Sequence, residues 1–237
     1  MIEGATMIER GWADVVIAGG TGSRMTLNSM LYRGTKSLSR KTGDPTKASR
    51  PFDSERDGMV VGEGAGAIVL ESQEHAIKRG AKPIAELVGW SRTHAAIGSE
   101  AYSKRIASCY QQCLQVCRPK IKNGAIGHLN AHAAGLVDRD VQEGRAIQEV
   151  LPGVPVTAMK GNFGNLGPGT SVIETAGSLL ALQQNQLPKT LNLTSLDSEL
   201  EGLNVVNTDS VSPGETFLKS SLSFTGQIAS AVFKKSQ

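Results

Sequence analysis

The sequence predicts an α/β fold built around a largely parallel sheet. Apolar strand-like segments alternate with helix-like segments along the 237 residues, which is the order that βαβ units produce. The clearest unit is Val156–Leu182, which passes from a short apolar strand through a glycine-rich turn into a helix of small and apolar residues. The composition agrees, because 27 glycines and only 4% aromatic residues favour close packing of helices on a sheet.

The elements of the first part follow from apolar periodicity and from the residues that end them. Gly11 ends a helix that is already under way at the first residues, so we expect the chain to be cut from something longer. Residues 39–57 are polar and rich in charged residues, which predicts a long loop, and long ordered loops are often functional. The predicted elements are the helix Ile2–Arg10, the strand Ala13–Ala18, the helix Met25–Leu38, the strand Gly62–Glu71 and the helix Ser72–Arg79.

A new alternation of strands and helices begins after a boundary that we place near residue 82. Its last part, Phe217–Phe233, contains two extended pieces around a turn at Phe224–Gln227. The other predicted elements are the strand Pro83–Ser91, the amphipathic helix Glu100–Cys117, the strand Ile126–Ala131, the helix Asp138–Val150, the strand Val154–Met159, and extended pieces at Leu187–Leu193 and Val205–Val206.

Charge and hydropathy exclude several classes of protein. The net charge of +3 is too small to indicate nucleic-acid binding, although it leaves room for a modest basic patch that faces an acidic partner. No apolar run reaches the roughly 18 residues that a membrane span needs. The N-terminal residues lack the long apolar centre of a signal peptide, and the three cysteines form no secreted disulfide framework. We therefore expect a cytoplasmic protein.

Candidate catalytic residues follow two neighbouring strands of the predicted sheet. His132 comes at the end of strand Ile126–Ala131, and Lys160 and Asn165 lie on the equivalent turn of the next unit. Turns at the carboxyl ends of adjacent parallel strands lie side by side, and such side chains can stabilise negative charge on a carbonyl oxygen. Glu143, on the helix after His132, would keep the lysine charged. The alternative is a histidine that backbone groups satisfy within a turn.

Two other motifs favour structural interpretations. Gly62–Gly66 resembles a phosphate loop but lacks the Gly-Lys-Ser/Thr ending, so close packing of the strand explains these glycines better. Cys109, Cys113 and Cys117 repeat every four residues on one helix, which predicts core packing. No histidine or fourth ligand joins them at the spacing of a metal site, and none lies on a strand-to-helix turn where a nucleophile would be expected.

Five segments resemble the β-ketoacyl-acyl carrier protein synthases, which are condensing enzymes of the thiolase fold. The resemblance covers nearly the whole chain, and the block at 48–71 is the most specific. The segments are ADVVIAGG (13–20), ASRPFDSERDGMVVGEGAGAIVLE (48–71), NAHAAGLVDRDVQEGRAI (130–147), KGNFG (160–164) and SLSFTGQIASAVF (221–233).

The resemblance implies a fold, a reaction and partners. The family has two similar halves packed as α-β-α-β-α layers with mixed sheets, so residues 1–82 would be the end of the first half and residues 83–237 the complete second half. The reaction is a decarboxylative Claisen condensation of acyl and malonyl thioesters in fatty acid or polyketide biosynthesis. Substrates arrive on the phosphopantetheine of acyl carrier protein, with no further cofactor and no metal. A homodimer, or pairing with a second synthase chain, is implied.

The resemblance also assigns roles to individual residues. His132 matches the first catalytic histidine, Lys160 the family's lysine, and Glu143 its usual ion-pair partner. Asn165 stands where this branch has a second histidine, and an amide NH2 can donate the same hydrogen bond. Phe224 matches the phenylalanine of the gating turn, whose backbone N–H helps to form an oxyanion hole.

Two departures from the family leave two functions open. The nucleophilic cysteine is absent from this chain, and Ala133-Ala134-Gly135-Leu136 replaces the threonine-containing run that usually meets the phosphopantetheine arm. The first hypothesis is a ketoacyl synthase whose cysteine-bearing part lies on other sequence. The second is a non-catalytic partner that resembles the chain-length-factor subunits of active synthases. The remaining possibility is a decayed fragment with no role.

Overall fold

The computed structural model describes residues 1–22, 37–96 and 101–236. The predicted helix Met25–Leu38 falls almost wholly outside these ranges, and the other predicted helices are present with ends shifted by a few residues. The helices are α1 (Ile2–Glu9), α2 (Gln73–Lys78), α3 (Ala101–Cys117), α4 (Val137–Val150), α5 (Lys160–Phe163) and α6 (Thr170–Gln184). The strands are β1 (Val15–Gly22), β2 (Gly64–Glu71), β3 (Ala85–His94), β4 (His128–Asn130), β5 (Val156–Thr157), β6 (Thr216–Leu222) and β7 (Gln227–Lys235).

The strands form two sheets, and both contain antiparallel pairs. β1 and β2 pair antiparallel in a two-stranded sheet, and the second sheet has the order β3-β7-β6-β4-β5. β4 runs parallel to β5 and β6, whereas β7 runs antiparallel to β3 and β6. The prediction of a largely parallel sheet is therefore wrong, because a tight turn joins β6 to β7 and such a turn requires an antiparallel pair. The mixed sheets that the family resemblance implies are present.

The layers alternate between helices and sheets. α3 packs on β3 and β7 and against α4, while α6 lies between the five-stranded sheet and the pair β1–β2. The main apolar core fills the space under α3 and α4, where Tyr102, Ile106 and Leu129 are fully buried. Gly62 allows α5 to approach closely, since a Cβ at this position would lie 2.0 Å from the carbonyl oxygen of Phe163. Close packing rather than phosphate binding explains the glycine-rich segment.

The outer face of the two-stranded sheet is apolar and open to solvent. Ile17 and Val69 are cross-strand partners on this face, and they are 72% and 60% exposed. Val15 and the neighbouring Trp12 are also largely exposed. An apolar face of this kind on a sheet is typical of a surface that another layer covers.

Buried charged side chains connect the long loop of residues 39–57 to the C-terminal half of the chain. The guanidinium of Arg56 is 2.7 Å from a carboxylate oxygen of Asp197. The carboxylate of Asp53 accepts hydrogen bonds from the backbone N–H groups of Thr194 and Ser195, at 2.7 and 3.1 Å. Segment 48–57 is therefore ordered by contacts that lie far away in the sequence. In the described part of the chain, no helix has the length and apolar character to cross a bilayer.

Candidate active site

The carboxyl ends of β4 and β5 bring the predicted residues together. The two strands are parallel neighbours, and Asn130 lies opposite Thr157 in their register. The chain therefore continues from both strands at the same edge of the sheet, into the turn with His132 and into α5 with Lys160. The sequence-based prediction that these two turns lie side by side is confirmed.

Side chains hold the backbone around His132, whereas its ring has no hydrogen-bond partner in the part of the chain that the structure describes. The backbone N–H groups of His132 and Ala133 donate to the two carboxylate oxygens of Glu143, both at 2.8 Å. The carbonyl oxygen of His132 accepts a hydrogen bond from Nζ of Lys160. Among the described residues, no group hydrogen-bonds the imidazole itself. The alternative of a histidine whose ring is satisfied by backbone groups therefore does not apply.

The charge state of His132 follows from its surroundings. Burial lowers the pKa of its imidazole well below the usual value, and the nearby positive charges of Lys160, Lys219 and Arg139 lower it further. Both causes disfavour a protonated ring. The imidazole is consequently neutral at physiological pH, with one N–H donor and one lone pair.

Glu143 supports the turn rather than the lysine. Besides the two backbone N–H groups, its carboxylate accepts hydrogen bonds from Oγ of Ser220 at 2.7 Å and from the hydroxyl of Tyr110 at 3.3 Å. The assignment of Glu143 as the ion-pair partner of Lys160 is wrong in this structure. The carboxylate is fully buried, and its hydrogen bonds go to the turn after β4 and to two hydroxyl groups.

The ion-pair partner of Lys160 is Glu174 on α6. Nζ of Lys160 is 2.7 Å from Oε1 of Glu174, and both side chains are fully buried. Sequence reasoning missed this residue, although a signal was present. Glu174 is the one charged residue in the α6 sequence TSVIETAGSLLALQQ, and a lone carboxylate on a buried helix needs a partner.

The side-chain amide of Asn165 has a fixed orientation. Its Oδ1 accepts hydrogen bonds from the backbone N–H of Gly167 at 3.0 Å and from Oγ1 of Thr170 at 3.1 Å. A backbone N–H can only donate, so the oxygen must face Gly167 and the NH2 group must face the other way. Among the residues that the structure describes, the hydrogen-bond partner of the NH2 group is the sulfur of Met59, at 3.3 Å, and sulfur is a weak acceptor. Asn165 thus presents donors that a stronger acceptor can use.

Phe224 lies at the surface, in the turn that joins β6 to β7. Its ring is 42% exposed, and the guanidinium carbon of Arg139 lies 4.8 Å from the ring centroid. The imidazole of His94 contacts the carbonyl oxygen of Thr225 at 2.9 Å. The turn also depends on Gly226, which has a φ of +89°. Arg139 connects this turn to the surroundings of His132, since its charge also acts on the imidazole.

The cysteines do not belong to the site. All three lie on α3 and are fully buried, and burial raises the pKa of the Cys113 thiol to about 12. The pKa values of Cys109 and Cys117 are raised for the same reason. These thiols stay protonated and are inaccessible, which is typical of core cysteines. Within the described ranges, no group of three or more His, Cys, Asp or Glu side chains is arranged to hold a metal ion.

The arrangement presents two kinds of neutral donor beside buried lysine charges. Glu143 and Lys160 each contact the backbone of His132, while Asn165 follows Lys160 closely along the chain. No hydrogen bond joins the His132 ring to the Asn165 amide among the described residues. An imidazole N–H and an amide NH2 beside positive charge can stabilise an oxygen that gains negative charge during a reaction.

Comparison with solved structures identifies the fold. A β-ketoacyl synthase from Burkholderia phymatum superposes with a TM-score of 0.92 at 26% identity, covering 99% of this chain and 58% of that one. The ketosynthase AntDE in complex with its acyl carrier protein AntF matches with a TM-score of 0.91 at 27% identity, over 99% and 59% of the two chains. The ishigamide ketosynthase/chain length factor matches with a TM-score of 0.87 at 25% identity, over 99% and 57%. The fold is that of the thiolase-like ketosynthases.

Sequence comparison places the chain in one family. Residues 1–76 match the β-ketoacyl synthase N-terminal domain, and residues 84–194 match the C-terminal domain. The 3-oxoacyl-(acyl-carrier-protein) synthase 2 of Synechocystis is 31% identical over 98% of this chain and 57% of its own length. The mitochondrial 3-oxoacyl-(acyl-carrier-protein) synthase of Arabidopsis thaliana is 36% identical over 81% and 43%. The chain belongs to the β-ketoacyl synthase family, and it spans about half the length of these relatives.

Proposed function

We propose that this chain supplies the enolate-stabilising part of a β-ketoacyl-acyl carrier protein synthase. In this role, the imidazole of His132 and the amide NH2 of Asn165 donate hydrogen bonds to the thioester oxygen of a malonyl group. The observation that carries the proposal is the fixed orientation of Asn165, whose oxygen is bound internally and whose NH2 is directed elsewhere. The neutral, unpaired ring of His132 supports it.

The chemistry follows from where charge develops. Breaking the bond between the carboxylate and the malonyl α-carbon releases carbon dioxide and leaves the electron pair on the thioester as an enolate. Donors on the thioester oxygen stabilise that charge, and the positive charge of Lys160 near His132 adds to the effect. The enolate carbon then attacks an acyl thioester on a cysteine. The resulting tetrahedral oxyanion would be met by the backbone N–H of Phe224, and the cysteine leaves as a thiolate.

The nucleophile must come from outside this chain's three cysteines. Each of them is fully buried on α3 with a raised pKa, so none can carry an acyl group. The open apolar face at Ile17 and Val69 supports a companion layer, supplied by further synthase sequence or by a second synthase chain. Under the same proposal, residues 1–82 are the end of the first half of the synthase fold, and residues 83–237 are its complete second half. Acyl carrier protein delivers the substrates, and the location is cytoplasmic.

A second candidate function is a non-catalytic partner of an active synthase. It is favoured by the run Ala133-Ala134-Gly135-Leu136, which lacks the hydroxyl groups that this family usually directs at the phosphopantetheine arm. The similarity to the ishigamide ketosynthase/chain length factor is compatible with this role. The two candidates differ in one respect, which is whether His132 and Asn165 take part in turnover.

Release of carbon dioxide from malonyl-acyl carrier protein separates the two candidates. The chain would be assayed together with the cysteine-bearing synthase sequence from its native host. Asn165→Ala should lower the rate about 100-fold, which is typical for loss of one oxyanion donor. Asn165→His should retain most of the rate, because imidazole can also donate. Asn162→Ala is the matched control, since this amide lies on α5 and donates to the carbonyl oxygen of Met159, at the start of its own helix.

The outcomes are distinct. A rate that falls with His132→Ala and Asn165→Ala but not with Asn162→Ala supports the catalytic proposal. A rate that is unchanged in all three variants, together with an altered product length when the chain is omitted, would instead establish the partner role.

A further inference from the structure

A second lysine, which sequence reasoning did not single out, is buried beside the candidate site. Lys219 lies on β6 opposite Asn130 of β4, and its side chain is only 2% exposed. Its Nζ is 2.7 Å from Oε2 of Glu174, the oxygen that Lys160 does not contact. The carbonyl oxygen of Ser220 accepts a hydrogen bond from the same ammonium at 2.5 Å.

Each carboxylate oxygen of Glu174 has its own ammonium partner. Oε2 lies 2.7 Å from Nζ of Lys219. Oε1 accepts a hydrogen bond from Lys160 at 2.7 Å. The carboxylate thus bridges two ammonium groups, one on each oxygen.

Lys160, Lys219, Glu174 and Glu143 form a cluster of buried charges, which balances only if Lys219 is included. Lys160 and Lys219 supply two positive charges, and Glu174 and Glu143 supply two negative charges; all four side chains are at most 2% exposed. Without Lys219, the cluster would hold one carboxylate more than it holds cations. An unmatched buried charge is strongly unfavourable.

We propose that Lys219 is a positioning residue of this site, which fixes Glu174 between two ammonium groups and places a second positive charge beside His132. This role rests on the proposed function, because it serves the residues that would stabilise the enolate. With Oε2 bound to Lys219, Glu174 presents Oε1 to Lys160, and Lys160 in turn holds the carbonyl oxygen of His132.

The second charge also lies close to the histidine, because Nζ of Lys219 is 3.5 Å from the carbonyl oxygen of Ala131, the residue that precedes His132. Titratable and charged groups face the cluster from several elements, namely Tyr102 and Tyr110 on α3, Arg139, Asp140 and Glu143 on α4, Lys160 on α5, Glu174 on α6 and Lys219 on β6. A cation beside the imidazole disfavours its protonation and favours negative charge on a substrate oxygen nearby. Burial lowers the pKa of Lys219 itself, but Glu174 opposes this change and favours the charged form.

Titration of His132 by NMR tests the proposal without any substrate. Lys219→Met removes the charge and keeps a long apolar side chain, and it should raise the pKa of His132 by about one unit. Lys219→Arg keeps the charge and should leave that pKa within a few tenths of the wild-type value. Lys234→Met is the matched control, because Lys234 on β7 pairs with Glu86 at 3.0 Å, away from the site. The His132 signal is assigned with His132→Asn.

The results are decisive in either direction. A raised His132 pKa in Lys219→Met alone supports the role, even if the decarboxylation assay shows that the chain is not catalytic. An unchanged pKa in Lys219→Met would overturn it.

Thermal unfolding keeps the proposal testable if Lys219→Met folds poorly. Loss of one partner from a buried pair should lower the Tm by about 10 °C. The double variant with Lys219→Met and Glu174→Gln removes one charge of each sign and leaves Lys160 and Glu143 as buried charges of opposite sign, so it should lose less stability than the sum of the two single variants. A double variant that is as unstable as the sum of the two single variants would contradict the charge balance.

Discussion

Glu143→Ala is the most direct test of how the turn after β4 is held. Four donors converge on this carboxylate, namely the backbone N–H groups of His132 and Ala133, the hydroxyl of Ser220 and the hydroxyl of Tyr110. The two hydroxyl groups also bond to each other at 2.7 Å, so that contact survives the substitution. The two backbone N–H groups lose their acceptor.

The expected cost follows from those two groups. A buried donor without a partner costs about 1–3 kcal/mol, and the charge cluster also loses one of its carboxylates. We therefore expect Glu143→Ala to lower the free energy of unfolding by about 4 kcal/mol. Glu143→Gln keeps one acceptor oxygen and should lose about half as much.

Urea unfolding at pH 7 measures these differences. Glu149→Ala is the matched control, because Glu149 is exposed on the same helix and should change stability by no more than about 0.5 kcal/mol. The reasoning would be refuted if Glu143→Ala destabilised the chain no more than Glu149→Ala.

Three further predictions concern pH, the turn before β7 and the thiols. Burial raises the pKa of Asp140 to about 6, so the folded chain binds an extra proton between about pH 4 and 6. The stability that this carboxyl group contributes is present at low pH and is lost as the pH rises through 6. Asp140→Asn should therefore flatten the fall in Tm across this pH range. A pH dependence of Tm that is unchanged in this variant would contradict the prediction. Gly226→Ala should lower the free energy of unfolding by about 2 kcal/mol more than Gly80→Ala does, as measured by chemical denaturation. Both glycines have a positive φ, but of the two only Gly226 would place a Cβ against a carbonyl oxygen, at 2.0 Å. The cysteines of α3 should react with a thiol reagent only after unfolding, and rapid labelling of the native chain would contradict their burial.

Features that depend on local pattern could be predicted from the sequence. His132 and Lys160 each follow the end of an apolar strand. The sequence therefore predicted that they lie on adjacent turns, since neighbouring parallel strands end at the same edge of a sheet. The cysteines repeat every four residues, and this spacing predicted that they are buried on one face of a helix. Both inferences start from the pattern within one element, namely where an apolar strand ends and how residues repeat along a helix. Such patterns are visible in a single sequence.

Features that depend on pairing between distant segments could not be predicted in the same way. The direction of β7 follows from its partners, so the sheet is mixed although the order of elements favoured a parallel one. Glu143 and Glu174 are both acidic residues on helices near Lys160, and only the packing of α6 decides which of them bonds to the lysine. Lys219 on β6 was missed because a lysine in a strand is normally directed toward solvent.

A crystal structure of the chain with a bound malonyl-thioester analogue, solved together with the proposed cysteine-bearing synthase sequence, would show whether His132 and Asn165 share one oxygen. We expect the thioester oxygen to lie about 3 Å from both an imidazole nitrogen of His132 and Nδ2 of Asn165. An oxygen that reaches only one of these donors, or neither, would contradict it.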